Sequence, residues 1–121
     1  MSETKSFLIV NRKAPYASAF AKEALDVALI AAAFGQQLSI LFMDDGVYQL
    51  LKQQDPSGIN QKNSSQTLPM LDMYDIKDIY VEAASLQARN LHTEDLLIPV
   101  QVIDSQAAAG LMDRHNILLN F

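Results

Sequence analysis

The residues best placed for chemistry lie in Leu38–Leu51, LSILFMDDGVYQLL, where the adjacent carboxylates Asp44 and Asp45 follow an apolar run. Adjacent carboxylates suit a hard cation, but such an ion takes about six or more oxygen ligands. The next acidic cluster, Asp72, Asp75 and Asp78, has no spacing that brings it near. Capping is the simpler role, and Asp45 is expected as N-cap of a helix over Gly46–Leu51, contributing roughly 0.5–2 kcal/mol. Tyr74 and Asp75 read as a turn. Ser85 opens a helix after a strand, yet no Gly-x-Ser-x-Gly elbow surrounds it, so a structural role is expected. His92 and His115 lack metal-ligand spacing and read as surface or loop-edge residues. The four glycines, at 35, 46, 58 and 110, cannot build a P-loop or a dinucleotide-binding turn. The loop Asn11–Tyr16 lacks the Ser/Thr/Gly character that would hold a flavin phosphate. No metal or cofactor is expected.

Cysteine is absent from all 121 residues. That removes disulfides, thiolate catalysis, a persulfide carrier and a Cys-ligated zinc from this chain. The formal net charge is −5, and Lys5, Arg12 and Lys13 are the densest basic group. A nucleic-acid binder needs a basic face to neutralise phosphates, so direct nucleic-acid binding is not expected. Val27–Phe34, the longest apolar candidate, falls short of the roughly 20 residues of a membrane span. The opening MSETKSFLIV reads as a core strand and not as a secretory signal. A cytoplasmic chain forming a single domain over 1–121 is expected, with no membrane partner.

Hydropathy patterning supplies the elements that position these groups. Phe7–Val10 is a first strand, and Pro15 suits a helix start. The helix then runs to about Phe34 and stops at Gly35. Ala17, Phe20, Ala21, Ala24, Leu25, Ala28, Leu29 and Ala32 form its apolar face, with Ser18, Lys22 and Asp26 opposite. Ile30 and Ala33 fall on that polar side at 100° per residue. Either a neighbouring loop covers them or they form a subunit contact. The run ending at Met43 is a second strand, buried on both faces. Lys52–Gln66 has Ile59 as its one apolar residue and reads as a long exposed loop. A short helix is expected over Thr67–Met73, a third strand over Ile79–Val81 and a helix over Ala83–Asn90. A fourth strand is placed at Leu97–Ile103, with Pro99 at its start or on an edge. Ser105 is the expected N-cap for Gln106–Arg114, and Ile117–Leu119 closes the sheet. Strands alternating with helices predict a three-layer α/β/α sandwich with a mostly parallel sheet of about five strands.

Three segments carry a resemblance to a known family. Leu38–Leu51, Leu71–Leu91 (LDMYDIKDIYVEAASLQARNL) and the ending Asn116–Phe121 (NILLNF) occur in the order seen in the TusC/DsrF family of small sulfur-relay subunits. The resemblance implies a DsrE/DsrF-like fold in which the carrier subunit holds a cysteine beside the end of the third strand. The matching stretch here, Val81–Leu86, contains no sulfur, and the Glu82 carboxylate cannot accept a persulfide. By resemblance the chain is a non-carrier subunit that assembles with TusB-like and TusD-like chains into a heterohexamer. That assembly passes persulfide sulfur, through a downstream acceptor protein, toward 2-thiouridine at the tRNA wobble position. A DsrF-like role in a DsrEFH sulfur-oxidation complex is the alternative. Two readings from other classes are a stand-alone small-ligand or nucleotide-binding α/β domain and a hydrolase using Asp44, Asp45 or Ser85. For a subunit, the candidate partner surface joins Ile30 and Ala33 to Asp44, Asp45 and the aromatic anchor Tyr48.

Overall fold

The computed structural model describes residues 6–12, 20–51, 76–96 and 98–121. The expected loop Lys52–Gln66, the helix Thr67–Met73 and the Tyr74/Asp75 turn lie outside the described residues. Among the described residues five strands form one all-parallel sheet: β1 (Ser6–Asn11), β2 (Gln37–Phe42), β3 (Asp78–Glu82), β4 (Gln101–Ile103) and β5 (Ile117–Asn120). Their order across the sheet is β4-β3-β2-β1-β5. The near-continuous apolar runs, Leu8–Val10 and Ile40–Phe42, belong to β1 and β2, interior strands covered on both faces. β5 lies on an edge and alternates half-buried with exposed residues.

Helices α1 (Phe20–Ala33), α2 (Ala83–Ala88) and α3 (Ser105–Arg114) supply the outer layers. Side chains of successive strand residues point to opposite faces, so two cores form. Ile9, Ile40, Phe42, Ile79 and Val81 pack with Ala24 and Ala28 of α1 and Leu86 of α2. Leu8, Val10 and Leu41 pack with Ala108 and Leu111 of α3. After β4 the chain must cross the whole sheet to reach β5, reversing its direction of travel. A right-handed crossover in that direction carries its helix to the opposite face, where α3 lies. The expected three-layer sandwich is borne out.

Several boundaries differ from the sequence expectations. Helix α1 ends as anticipated at Gly35, whose φ of 76° favours a residue without Cβ. Gly35 N–H donates to Ala32 O and Gln36 N–H to Ala31 O, the paired bonds that satisfy the last carbonyls of a helix. Helix α2 closes the same way two residues earlier than expected, with Asn90 at φ 55° and Leu91 N–H donating to Leu86 O. The N-cap of α3 is Asp104 and not Ser105: its carboxylate accepts from Ala107 N–H at 2.7 Å. The fourth strand is only Gln101–Ile103. Pro99 stands just before it, and Leu96 pairs instead with Leu51 in an antiparallel bridge. Segment Asp44–Leu50 is a 3-10 helix, so the apolar pair Val47 and Leu50 is buried at the three-residue period of that helix.

Two glycines should respond oppositely to alanine. Gly110 lies in α3 with nothing within 4 Å of an added Cβ. Gly110→Ala should therefore stabilise by about 0.5–1 kcal/mol. At Gly46 a Cβ would collide with the Asn11 carbonyl, part of a central strand that cannot yield. Gly46→Ala should cost about 3 kcal/mol or more. Denaturant melts of the two variants check both signs.

Candidate functional site

The carboxyl ends of parallel strands are where α/β proteins usually meet their ligands and partners. Here β2 and β3 are adjacent, in register from Ser39↔Asp78 to Phe42↔Val81, so the turns that follow them meet. After β2, Met43 N–H donates to Asn11 O at 3.0 Å and Gly46 N–H to Met43 O at 2.9 Å. Between them Asp44 takes a positive φ of 51°, a conformation that Asp tolerates better than most residues. Gly46 is therefore required for close approach to β1, and the left-handed position of the turn is held by Asp44.

Ser85 locks this turn to α2. Its hydroxyl accepts from Asp44 N–H at 2.8 Å and donates to Glu82 Oε1 at 2.6 Å. The side chain is buried, so both of its hydrogen-bonding roles are occupied inside the protein. One turn along α2, Arg89 donates Nη1 to Ser85 O at 3.1 Å. Its Nε and Nη2 both reach Asp45 Oδ1, at 3.2 and 2.9 Å. The guanidinium lies 5.9 Å from the centre of the Tyr48 ring, within cation–π range. Asp45 is thus the anchor of an ion pair and not the expected N-cap. The position before the 3-10 helix is Met43, and no side chain caps it.

The candidate residues divide into two groups. Asp44, Asp45 and Tyr48 converge beyond the carboxyl end of β2. Ile30 and Ala33 lie in the last turns of α1, which leads into the amino end of that strand. A six-residue strand at about 3.3 Å per residue separates the two groups by roughly 20 Å. Ile30 is 58% exposed, and Phe34, a residue missed in the sequence reading, is 78% exposed beside it at i+4. Arg89 was missed too. Its spacing from Ser85 placed both on one helix face, but the pairing with Asp45 spans 44 residues of sequence.

Among the described residues no group of three His, Cys, Asp or Glu side chains could hold a metal ion. Asp78 opens β3, at the end of the sheet opposite Asp44, and Asp72 and Asp75 lie outside the described residues. His115 is half-buried and structural: its Nδ1 sits 2.6 Å from Leu111 O and its Nε2 3.1 Å from Ser39 Oγ. A carbonyl only accepts, so the Nδ1 proton faces Leu111. His92 is exposed. No helix among the described residues is long and apolar enough to cross a membrane.

The sequence of the DsrE/DsrF-like family matches residues 5–121. The intracellular sulfur oxidation protein DsrF of Allochromatium vinosum is 43% identical, with all of both chains covered. A TusC homolog of Pseudomonas aeruginosa is 40% identical over 93% of this chain and 95% of its own. Among solved structures, the ychN protein of E. coli superimposes with a TM-score of 0.84 over 98% of this chain and all of that one, at 22% identity. This last likeness concerns the fold.

The polar contacts of the site differ in what their removal should cost. Ser85→Ala leaves Asp44 N–H and the Glu82 carboxylate without their partner, and should destabilise by about 1–2 kcal/mol. Asp45→Ala removes an ion pair whose carboxylate is 60% exposed, and should cost less than about 1 kcal/mol. Paired chemical melts check the ranking.

Proposed function

This chain belongs to the DsrE/DsrF-like family, and from that premise we propose that it is a non-carrier subunit of a cytoplasmic sulfur-relay complex of TusBCD type. That complex passes persulfide sulfur toward 2-thiouridine at the tRNA wobble position, and this subunit does not hold the sulfur itself. The observation that carries this reading is the complete absence of cysteine. A relay step is attack by a thiolate on a sulfur donor, and no other side chain here can replace that nucleophile. The turn after β2 supports it: the Ser85 hydroxyl, bonded to Glu82, is spent on accepting from Asp44 N–H. The chain serves as an accessory partner and not as a catalyst. The TusB-like and TusD-like chains are its proposed neighbours.

The DsrF relative from Allochromatium vinosum, matched end to end, favours a second reading, a subunit of a sulfur-oxidising DsrEFH-type complex. Both readings make this chain a scaffold for a thiol carried elsewhere. They separate in the cell, where only the first predicts loss of 2-thiouridine from tRNA when the gene is removed.

Two contact surfaces are proposed for this role. The apolar end of α1, with Ile30, Ala33 and Phe34, offers area for burial, at about 1.5–3 kcal/mol for a large apolar side chain. The turn with Asp44, Asp45 and Tyr48 offers an aromatic anchor and charge for orientation.

Incubation with a cysteine desulfurase and sulfur-labelled cysteine should leave this chain unlabelled after a denaturing wash. Stable covalent label would exclude the non-carrier role. In co-purification with its neighbours, Ile30→Lys should weaken assembly while shifting stability by less than about 0.5 kcal/mol, because the side chain is exposed. Tyr48→Ala should weaken assembly by about 1 kcal/mol or more. Assembly untouched by both substitutions would place the contacts elsewhere.

A further inference from the structure

The turn after β2 carries a chemically labile pair, and the fold dictates its second residue. Position 46 must be glycine, since any Cβ would strike the Asn11 carbonyl. Position 45 carries the carboxylate that Arg89 holds through two nitrogens. The result is Asp-Gly, the dipeptide in which the following amide nitrogen attacks the side-chain carboxyl most readily, because glycine places no Cβ in its path. The Asp45 side chain is 60% exposed, so water has access to it.

We propose that Asp45–Gly46 is a latent isoaspartate site that the native turn keeps closed. In the open chain the Gly46 nitrogen, losing its proton to water, bonds to the Asp45 carboxyl carbon. One carboxyl oxygen leaves as water, and a succinimide ring closes. Water then opens the ring at either carbonyl. One product is the original aspartate; in the other the backbone runs through the former side-chain carboxyl. One water is lost and one regained, so the mass is unchanged and no oxidant or reductant takes part.

Two contacts and the backbone conformation oppose ring closure. Gly46 N–H is bonded to Met43 O at 2.9 Å, which turns the nitrogen away from the Asp45 side chain. The 3-10 backbone of Asp44–Leu50 holds the intervening ψ away from the value the ring requires. Arg89 draws the carboxylate toward α2, so ring closure must first break this ion pair. The modified turn would not be equivalent to the native one. The backbone gains a methylene, the free carboxylate retracts out of reach of Arg89, and Gly46 loses its seat against β1. The chemistry therefore converts slow opening of this turn into a permanent mark.

The test incubates the full chain near neutral pH in native buffer and in guanidinium, and does the same for Arg89→Gln. Isoaspartate is read by enzymatic methylation of isoaspartyl carboxylates and located by peptide mapping. At Asp45 the native chain should accumulate it at least about tenfold more slowly than the unfolded chain, because reaction requires local opening. Arg89→Gln in native buffer should react about fivefold faster than the native chain, with its circular dichroism unchanged. Should the glutamine variant not fold, Arg89→Lys replaces it and must show the same direction of change. Equal rates in native and unfolded chains, or no acceleration on replacing Arg89, would overturn the proposal.

Discussion

The carbonyl of Asn11, at the end of β1, is the point on which the carboxyl edge of this protein is built. It accepts from Met43 N–H, and its oxygen lies so close to Gly46 that no side chain fits there. Because β1 and β2 pair in register from Ser6↔Gln37 to Asn11↔Phe42, the chain leaving β2 has no freedom to rise away from the sheet. It turns at once, through the positive φ of Asp44, into a 3-10 helix that drives Val47 and Leu50 into the core. Every other contact of the turn, from the Ser85 hydroxyl to the Arg89 clamp, relies on that placement.

The polar groups of this edge act at different strengths, according to their access to water. The Ser85 hydroxyl is buried, and the groups it joins would be left without partners if it were removed. Arg89 and Asp45 are closer to solvent, and their attraction is screened there. The first interaction therefore serves mainly stability. The second serves geometry: it sets the direction of one carboxylate and holds a guanidinium near the Tyr48 ring. Both keep hydrogen-bonding groups occupied that would otherwise be available for reaction.

In the proposed role, a subunit without cysteine would contribute shape and contact in place of a thiol. Its exposed apolar side chains at the end of α1 lie at one end of the sheet, and its ordered polar turn lies at the other. The two groups are too far apart to be one patch, so the proposed assembly would use them for separate contacts.

Local sequence determined the alternation of strands and helices, the apolar interior strands, the Gly35 stop and the lack of any thiol. These follow from residue type and from periods of two and 3.6, which need no knowledge of distant contacts. Exposure of Ile30 could also be read from its helical angle. Tertiary structure decided the rest. That Gly46 meets the Asn11 carbonyl depends on how two strands pair, and that Asp45 binds Arg89 instead of capping a helix depends on two adjacent strand ends. The cap at Asp104 instead of Ser105 turned on a one-residue boundary, which composition does not resolve. The edge position of β5 follows from a crossover across the whole sheet. Sequence separation hides such neighbours because residue type records what a side chain can bond, whereas only the folded backbone determines which partner stands within reach.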